Sequence, residues 1–215
     1  TFHSPAEEYV CTIFCFLSGV NFTLLYTSVA GFKLKEMLKN SEFKFYAAMT
    51  ASFSLFIMLE LIFRCNYEVE HAFRSSAFQV VSFITTTGLF SDDAAKWPHV
   101  TWVVLAACMF FGGSSGSTSG GIKSIRGVML VKVIKNEFRQ ILHPNAVLPM
   151  KVDGYNVQMC KRVTLLAFIG LYLFLAVICA FTMIAAGSVS TNSMTITLSS
   201  LGNVGPTLGL EIGPT

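Results

Sequence analysis

Two glycine-bearing turns are the parts of this sequence whose residue types and spacing best suit chemistry. Each follows a short run that passes from apolar to polar residues: Phe83-Ile84-Thr85-Thr86-Thr87-Gly88-Leu89 and Leu201-Gly202-Asn203-Val204-Gly205-Pro206. At such turns a membrane chain can present backbone carbonyls, and rings of carbonyl oxygens replace the hydration shell of K⁺. The turns therefore predict part of an ion pore, with the carbonyls of 85–88 and 202–205 as its ion-selective lining.

The composition predicts an integral membrane protein. Hydrophobic residues make up 53% of the chain, charged residues only 13%, and the mean hydropathy is +0.62, whereas a soluble domain carries roughly 25% charged residues. The net charge of +3 is mild and argues against a nucleic-acid partner. Six scattered cysteines lack the spacing of metal ligands, so we expect them to act as small apolar core residues.

Apolar runs set the expected membrane segments. A helix over 10–30 and another over 43–63 are each long enough to cross a hydrocarbon core of about 30 Å. Only eight apolar or small residues, 77–84, precede the first turn. Because so short a segment cannot span, it predicts a re-entrant half-helix. A twelve-residue apolar helix that re-enters the membrane is expected over 100–111. A full span is expected over 165–186, and a second re-entrant unit is expected to begin near Asn192.

The segment after this twelve-residue helix, 112–121, is rich in glycine and serine. Twelve helical residues cover about 18 Å, so the segment should lie inside the bilayer, where irregular backbone must line a cavity. We expect it to be a gating loop beneath the turns. Two basic residues follow the loop, Lys123 and Arg126. Their side chains either extend toward the cytoplasm or repel cations in the pore. The loop consists of Gly112, Gly113, Ser114, Ser115, Gly116, Ser117, Thr118, Ser119, Gly120 and Gly121.

The distribution of basic residues predicts orientation. Ten of the fifteen Lys and Arg residues lie in 33–44 and 132–162, while the opposite loops hold Arg64, Arg74 and Lys96. By the positive-inside rule the basic segments are cytoplasmic and both turns face outside. The segment 132–162 is expected to contact anionic lipid, a regulatory protein, or both.

The two turns also reveal an internal repeat. Ser82 aligns with Ser199 and Gly88 with Gly205, a period of 117 residues. Diverged repeats of this kind are expected where one chain supplies non-identical quarters of a pore. The chain begins with a lone span, as if at the end of an earlier repeat, and is expected to stop before a last inner helix.

Five motifs together resemble the TrkH branch of the bacterial Trk/Ktr potassium-uptake family, over essentially the whole chain. Two parts of the sequence depart from that branch: Thr87-Gly88-Leu89-Phe90 stands where it often has Ala-Gly-Phe-Thr, and Thr207 where it often has Gly. Because carbonyls would coordinate the ion, these departures leave the lining intact. The motifs are Phe78-Gln79-Val80-Val81-Ser82, Phe111-Gly112-Gly113, the run from Gly116 to Lys123, His143-Pro144-Asn145-Ala146-Val147, and the run from Leu201 to Gly209.

The resemblance implies an all-α membrane protein with pseudo-fourfold, potassium channel-like repeats, each an outer helix, a re-entrant pore helix with filter, and an inner helix. Residues 1–40 would end the second repeat, 41–145 would form the complete third, and 146–215 the fourth, truncated after its filter. It further implies K⁺ uptake across the bacterial inner membrane without catalysis or a bound cofactor, homodimerisation, and a cytosolic nucleotide-binding regulatory subunit.

Three alternatives remain from the residues alone. A member of the same superfamily can conduct Na⁺ or co-transport Na⁺ with K⁺. Gly113-Ser114-Ser115-Gly116 fits the Gly-x-Ser-Gly pattern of an intramembrane serine protease, but such an enzyme needs a histidine near Ser115, and the span over 165–186 contains none. The third alternative is a non-conducting scaffold or sensor.

Overall fold

A computed structural model describes residues 4–32, 34–92, 96–143 and 150–206. Lys33, Pro144 to Val147 and Thr207 to Gly209, all used in the sequence predictions, lie outside these ranges. Within them the chain is helical apart from one two-stranded hairpin, which confirms the predicted all-α class. The elements are α1 (Pro5–Ser18), α2 (Phe22–Ala30), α3 (Leu34–Lys39), α4 (Ser41–Cys65), α5 (Val69–Ile84), α6 (His99–Phe111), α7 (Ser124–Leu142), β1 (Lys151–Val152), β2 (Tyr155–Asn156), α8 (Met159–Ala185) and α9 (Ser190–Gly202).

Two helices, α4 and α8, are long and apolar enough to cross a membrane. The Asn40 side chain caps α4 by accepting hydrogen bonds from the backbone N–H groups of Glu42 and Phe43, at 2.9 and 3.0 Å. At its other end Asn66 adopts the left-handed conformation that terminates helices. The predicted spans over 43–63 and 165–186 are therefore confirmed, although α8 begins six residues earlier, at Met159.

The prediction of one continuous helix over 10–30 is wrong. The chain forms α1 and α2 instead, and their axes are bent by 104° at the short break between them. Gly19 lies so close to its neighbours that a Cβ there would be 2.4 Å from Tyr46 Oη and 2.7 Å from Thr85 Cγ2. Asn21 caps α2 by accepting from Thr23 N–H at 2.9 Å.

The half-helix before the first turn ends at Ile84 as predicted, but it begins earlier than expected. Polar residues assigned to a loop form the first half of α5, because their charges are paired. Arg74 Nε lies 2.7 Å from a carboxylate oxygen of Glu8 in α1, and Arg74 Nη1 lies 3.0 Å from Glu70. The sixteen residues of α5 are still too few to span a bilayer of ordinary thickness.

The core forms around α5, which packs against α1, α4 and α6, whereas α9 packs against α8 and α6. Phe78, Phe83 and Ile84 of α5 are fully buried. By contrast, most of α8 is exposed, as suits a surface against lipid or another protein. The expectation that all six cysteines are core residues is wrong for Cys160 and Cys179, which are exposed on α8.

Candidate functional site

The first glycine turn, residues 85–88, follows directly from the end of α5. The Ser82 hydroxyl donates to Leu89 O and accepts from Leu89 N–H, both at 2.7 Å, so it closes the turn. The backbone N–H of Thr87 donates to Ser82 O at 2.9 Å. Thr86 and Gly88 have φ values of 56° and 73°, in the left-handed region. Right-handed helices and strands have negative φ at every residue, so the backbone of this turn is neither helical nor extended.

The second glycine turn, residues 202–205, repeats two of these hydrogen bonds 117 residues later; the bond donated by Leu89 N–H has no counterpart, because the equivalent residue is Pro206, which lacks an N–H. The Ser199 hydroxyl donates to Pro206 O at 2.7 Å, and Val204 N–H donates to Ser199 O at 2.9 Å. Asn203 and Gly205 have φ values of 57° and 99°. Every one of these positions matches its partner in the first turn, so the register read from the sequence holds at the level of backbone geometry.

The carbonyl groups of both turns point to a role in binding a ligand. Those of residues 85–88 and 202–205 accept no hydrogen bond from the described part of the chain. Backbone carbonyls left without a protein partner must find one in water or a cation. Within the same ranges no group of three or more His, Cys, Asp or Glu side chains is placed to hold a metal ion. Carbonyls, not side chains, are therefore the candidate cation ligands.

The two turns are in direct contact. A Cβ on Gly88 would lie 2.4 Å from the carbonyl oxygen of Val204 and 2.8 Å from Cδ of Pro206. Only glycine permits so close an approach of two backbones. The fold thus brings together two segments that are far apart in sequence.

The segment 112–121, which we call the Gly/Ser loop, is not helical, and this confirms the prediction. It follows α6 and precedes α7. Gly112, Gly116 and Gly121 have φ values of 66°, 74° and 73°, which other residues rarely adopt. The loop is therefore an irregular interruption between two helices.

The Gly/Ser loop lies against both glycine turns. The backbone N–H of Gly120 donates to Thr86 Oγ1 at 2.8 Å. A Cβ on Gly120 would lie 2.0 Å from the carbonyl oxygen of Gly202. One residue of the loop thus contacts the first and the second turn at once.

The break between α1 and α2 holds the other end of the loop. Ser114 N–H donates to Gly19 O at 2.9 Å, and Phe22 N–H donates to Gly116 O at 3.3 Å. Both are backbone bonds, so they do not depend on side-chain identity. The bend that sequence reasoning missed is therefore part of the site.

The two basic residues after the loop have different surroundings. Lys123 folds back onto the loop, where its Nζ donates to the carbonyl oxygen of Ser119. Arg126 instead donates to Ile122 O at 3.2 Å and lies 3.9 Å from the ring centre of Phe168 in α8. Only Lys123 is thus arranged to influence the loop.

Sequence reasoning also missed Glu42, in the first turn of α4. Its carboxylate is buried, and Oε1 accepts a hydrogen bond from the backbone N–H of Ser115 in the loop. The available signal was weak, because Glu42 lies directly before the predicted apolar span 43–63, where an acidic residue is common in the first turn of a helix. Ser115, the nucleophile of the protease alternative, is thus held through its backbone by an acid.

Comparisons with known proteins identify the family of the chain. The TrkH family, described as cation transport proteins, matches residues 1–215. A Trk system potassium uptake protein TrkH from Salmonella typhimurium is 31% identical over 210 residues, which is 97% of this chain and 44% of that protein. TrkG from Escherichia coli K12 is 35% identical over 153 residues, or 71% of this chain and 32% of that protein.

A solved structure, the potassium transporter TrkH from Vibrio parahaemolyticus, superposes with a TM-score of 0.92 at 30% identity, over 99% of this chain and 46% of that one. The chain spans less than half the length of these TrkH relatives. The relatives are transport proteins, which argues against the protease alternative. The chain belongs to the TrkH family of cation transport proteins.

Proposed function

We propose that this chain forms part of a K⁺ uptake pathway in a bacterial inner membrane. The observation that carries the proposal is the contact between two equivalent glycine turns whose carbonyls have no partner in the described ranges. Carbonyl oxygens at such a site can take over the hydration shell of K⁺. The names of the relatives, Trk system potassium uptake proteins, support the same cation.

In this proposal the selectivity filter consists of backbone carbonyls from the two turns. Thr85, Thr86, Thr87 and Gly88 supply one quarter, and Gly202, Asn203, Val204 and Gly205 supply another. The serine bonds of Ser82 and Ser199 fix the ends of the turns. Because the carbonyl positions are set by backbone bonds, the departures at Thr87 and Leu89 from the usual family residues need not alter them.

The Gly/Ser loop is the proposed gate. Its contacts with Thr86 and Gly202 support a position next to the filter, and its small side chains mean that it would obstruct ions with its backbone. Lys123 adds a positive charge whose ammonium group bonds to the loop. A loop with five glycines has little intrinsic order, so it can change conformation for a few kcal/mol.

Membership of the TrkH family supports a proposal for the wider assembly. We propose that residues 41–145 form the third repeat, with residues 1–40 and 146–215 belonging to its neighbours in a pseudo-fourfold pore. The glycine turns would face outside, and the basic segment 132–162 would face the cytoplasm. There it would meet anionic lipid and a cytosolic nucleotide-binding regulatory subunit, within a homodimer.

The test is ion flux through the full-length protein in liposomes. We expect K⁺ flux that exceeds Na⁺ flux at equal concentration gradients. Equal flux of the two ions would favour the Na⁺-permeable alternative, and no flux in either condition, with a correctly assembled protein, would contradict the pore assignment. Protein-free liposomes serve as the control.

A further inference from the structure

Glu42 is a buried acid that joins the first turn of α4 to the Gly/Ser loop. Only 7% of the residue is exposed. Its carboxylate accepts a hydrogen bond from Ser115 N–H and lies near two charges, the negative one of Asp153 in the hairpin and the positive one of Lys123 after the loop. A carboxylate removed from water is stable only where donors or positive charge compensate it. Here the compensation comes from the segment proposed to move.

We propose that Glu42 is a positioning residue for the Gly/Ser loop, and that the hairpin of β1 and β2 acts on this contact through the first turn of α4. The inference rests on the proposed gating function of the loop. Hydrogen bonds to charged groups are stronger than those between neutral groups. The Glu42 contact is thus a charge-assisted restraint on a loop that backbone bonds and the side chains of Thr86 and Lys123 also hold.

The hairpin of β1 and β2 also contacts the first turn of α4. Asp153, at the tip between β1 and β2, accepts from the backbone N–H of Ser41 at 3.0 Å. Ser41 is the first residue of α4 and the immediate neighbour of Glu42. Lys132 Nζ in α7 donates to Lys151 O of the hairpin at 2.8 Å. A displacement of the hairpin would therefore act on both helices that flank the Glu42 contact.

The structure of the hairpin allows a bound partner to displace it. Lys151, Asp153 and Gly154 are exposed, and the hairpin lies within the basic segment 132–162. It pairs through only two residues on each strand, Lys151 with Asn156 and Val152 with Tyr155. So small a unit has little stability of its own. Its position depends on its contacts with α4 and α7, so a bound partner can shift it.

The first experiment measures K⁺ flux through the full-length protein in liposomes without a regulator. Glu42→Ala should raise flux by about tenfold, the equilibrium effect of losing a hydrogen bond to a charged group. Glu42→Gln keeps an acceptor oxygen and should raise flux less. The K⁺/Na⁺ flux ratio should not change, because Glu42 touches neither turn. Wild-type flux in both variants would overturn the inference.

A matched control lies on the same helix. Glu60 pairs with Arg64 at 2.8 Å and has no contact with the loop, so Glu60→Gln should leave flux at the wild-type value. If Glu60→Gln raises K⁺ flux as much as Glu42→Gln does, the loss of either acidic residue on α4 has the same effect. That result would overturn the specific role of Glu42.

Deletion of Ser114 to Ser119 separates the inference from the gate itself. If the deletion raises flux and Glu42→Ala does not, the loop is a gate but Glu42 does not position it. If the deletion leaves flux unchanged, the proposed gating is wrong. The contact between Glu42 and the loop is then tested separately, by amide hydrogen exchange. Faster exchange at Ser115 in Glu42→Gln supports the positioning contact, and unchanged exchange overturns it.

The hairpin is tested by the same exchange measurement. Asp153→Ala should speed exchange at Ser115 more than Asp153→Asn does, because both remove the negative charge near Glu42 but asparagine keeps an acceptor oxygen for Ser41 N–H. Asn156→Ala, on the neighbouring strand, removes an exposed side chain whose strand pairing is through the backbone, and should have no effect. If Asp153→Ala behaves as Asn156→Ala does, the hairpin is not connected to the loop.

Discussion

Thr86 Oγ1 accepts a hydrogen bond of 2.8 Å from the backbone N–H of Gly120, across 34 residues of sequence. This bond joins the first glycine turn to the Gly/Ser loop. Thr86 holds a left-handed backbone conformation, with φ of 56°, which is uncommon for a β-branched residue. The proposed filter and the proposed gate are thus connected by a single side chain.

Removing that hydroxyl should loosen the loop. Thr86→Val keeps the shape of the side chain but loses the acceptor, at a cost of about 1 kcal/mol, or roughly fivefold in an equilibrium. We expect K⁺ flux in liposomes to rise by a similar factor. Thr86→Ser keeps the hydroxyl and is the matched control. Equal flux in the two variants would show that the bond does not restrain the loop.

The two glycines of the turns should differ in their tolerance of alanine. At Gly88 a Cβ would clash with the Val204 carbonyl, whereas at Gly205 no described atom lies within 4 Å. Both residues have positive φ, so alanine costs about 1–2 kcal/mol of backbone strain at each. Gly88→Ala should therefore reduce K⁺ uptake and K⁺/Na⁺ discrimination more than Gly205→Ala does.

Growth at low K⁺ of cells that lack other uptake systems measures this difference in the full-length protein. Gly170→Ala is the control, because it lies inside α8 with open space around it, where alanine favours the helix. If Gly88→Ala supports growth as well as Gly170→Ala does, with unchanged discrimination, the filter assignment fails.

The two basic residues near the loop should have separable roles. Lys123→Gln removes the ammonium group that bonds to Ser119 O, and we expect K⁺ flux to rise several-fold. Arg126→Gln should leave flux unchanged and lower Tm slightly, since its contact with Phe168 is worth about 0.5–1 kcal/mol. Flux and Tm measured on both variants test the assignment. The reverse pattern would make Arg126 the gating charge.

Neutralising Lys132, Lys135 and Arg139 together tests the proposed docking surface. Each charge contributes about 1 kcal/mol of attraction to an anionic membrane, so the triple glutamine variant should bind anionic lipid less well. We also expect weaker capture of the regulatory subunit in detergent. Retained capture would leave only the lipid role. Arg64→Gln, on the opposite side in the proposed orientation, is the control.

The sequence by itself determined the features that depend on neighbouring residues. Apolar length predicted α4 and α8, and the Gly/Ser composition predicted an irregular segment between α6 and α7, because helix propensity and hydropathy are local properties. The alignment of Ser82 with Ser199 found the correct register for both turns, since the same short pattern makes the same local hydrogen bonds.

Only the tertiary structure decided which distant residues meet. The bend at Gly19 interrupts a run whose hydropathy favours a single span, and it brings the Gly19 backbone against Tyr46 and Thr85, which lie where a Cβ would be. The contact of Glu42 with Ser115 joins residues 73 apart. Periodicity and composition carry no information on such pairs, because close approach depends on how whole helices pack, and packing brings together residues from separate parts of the chain.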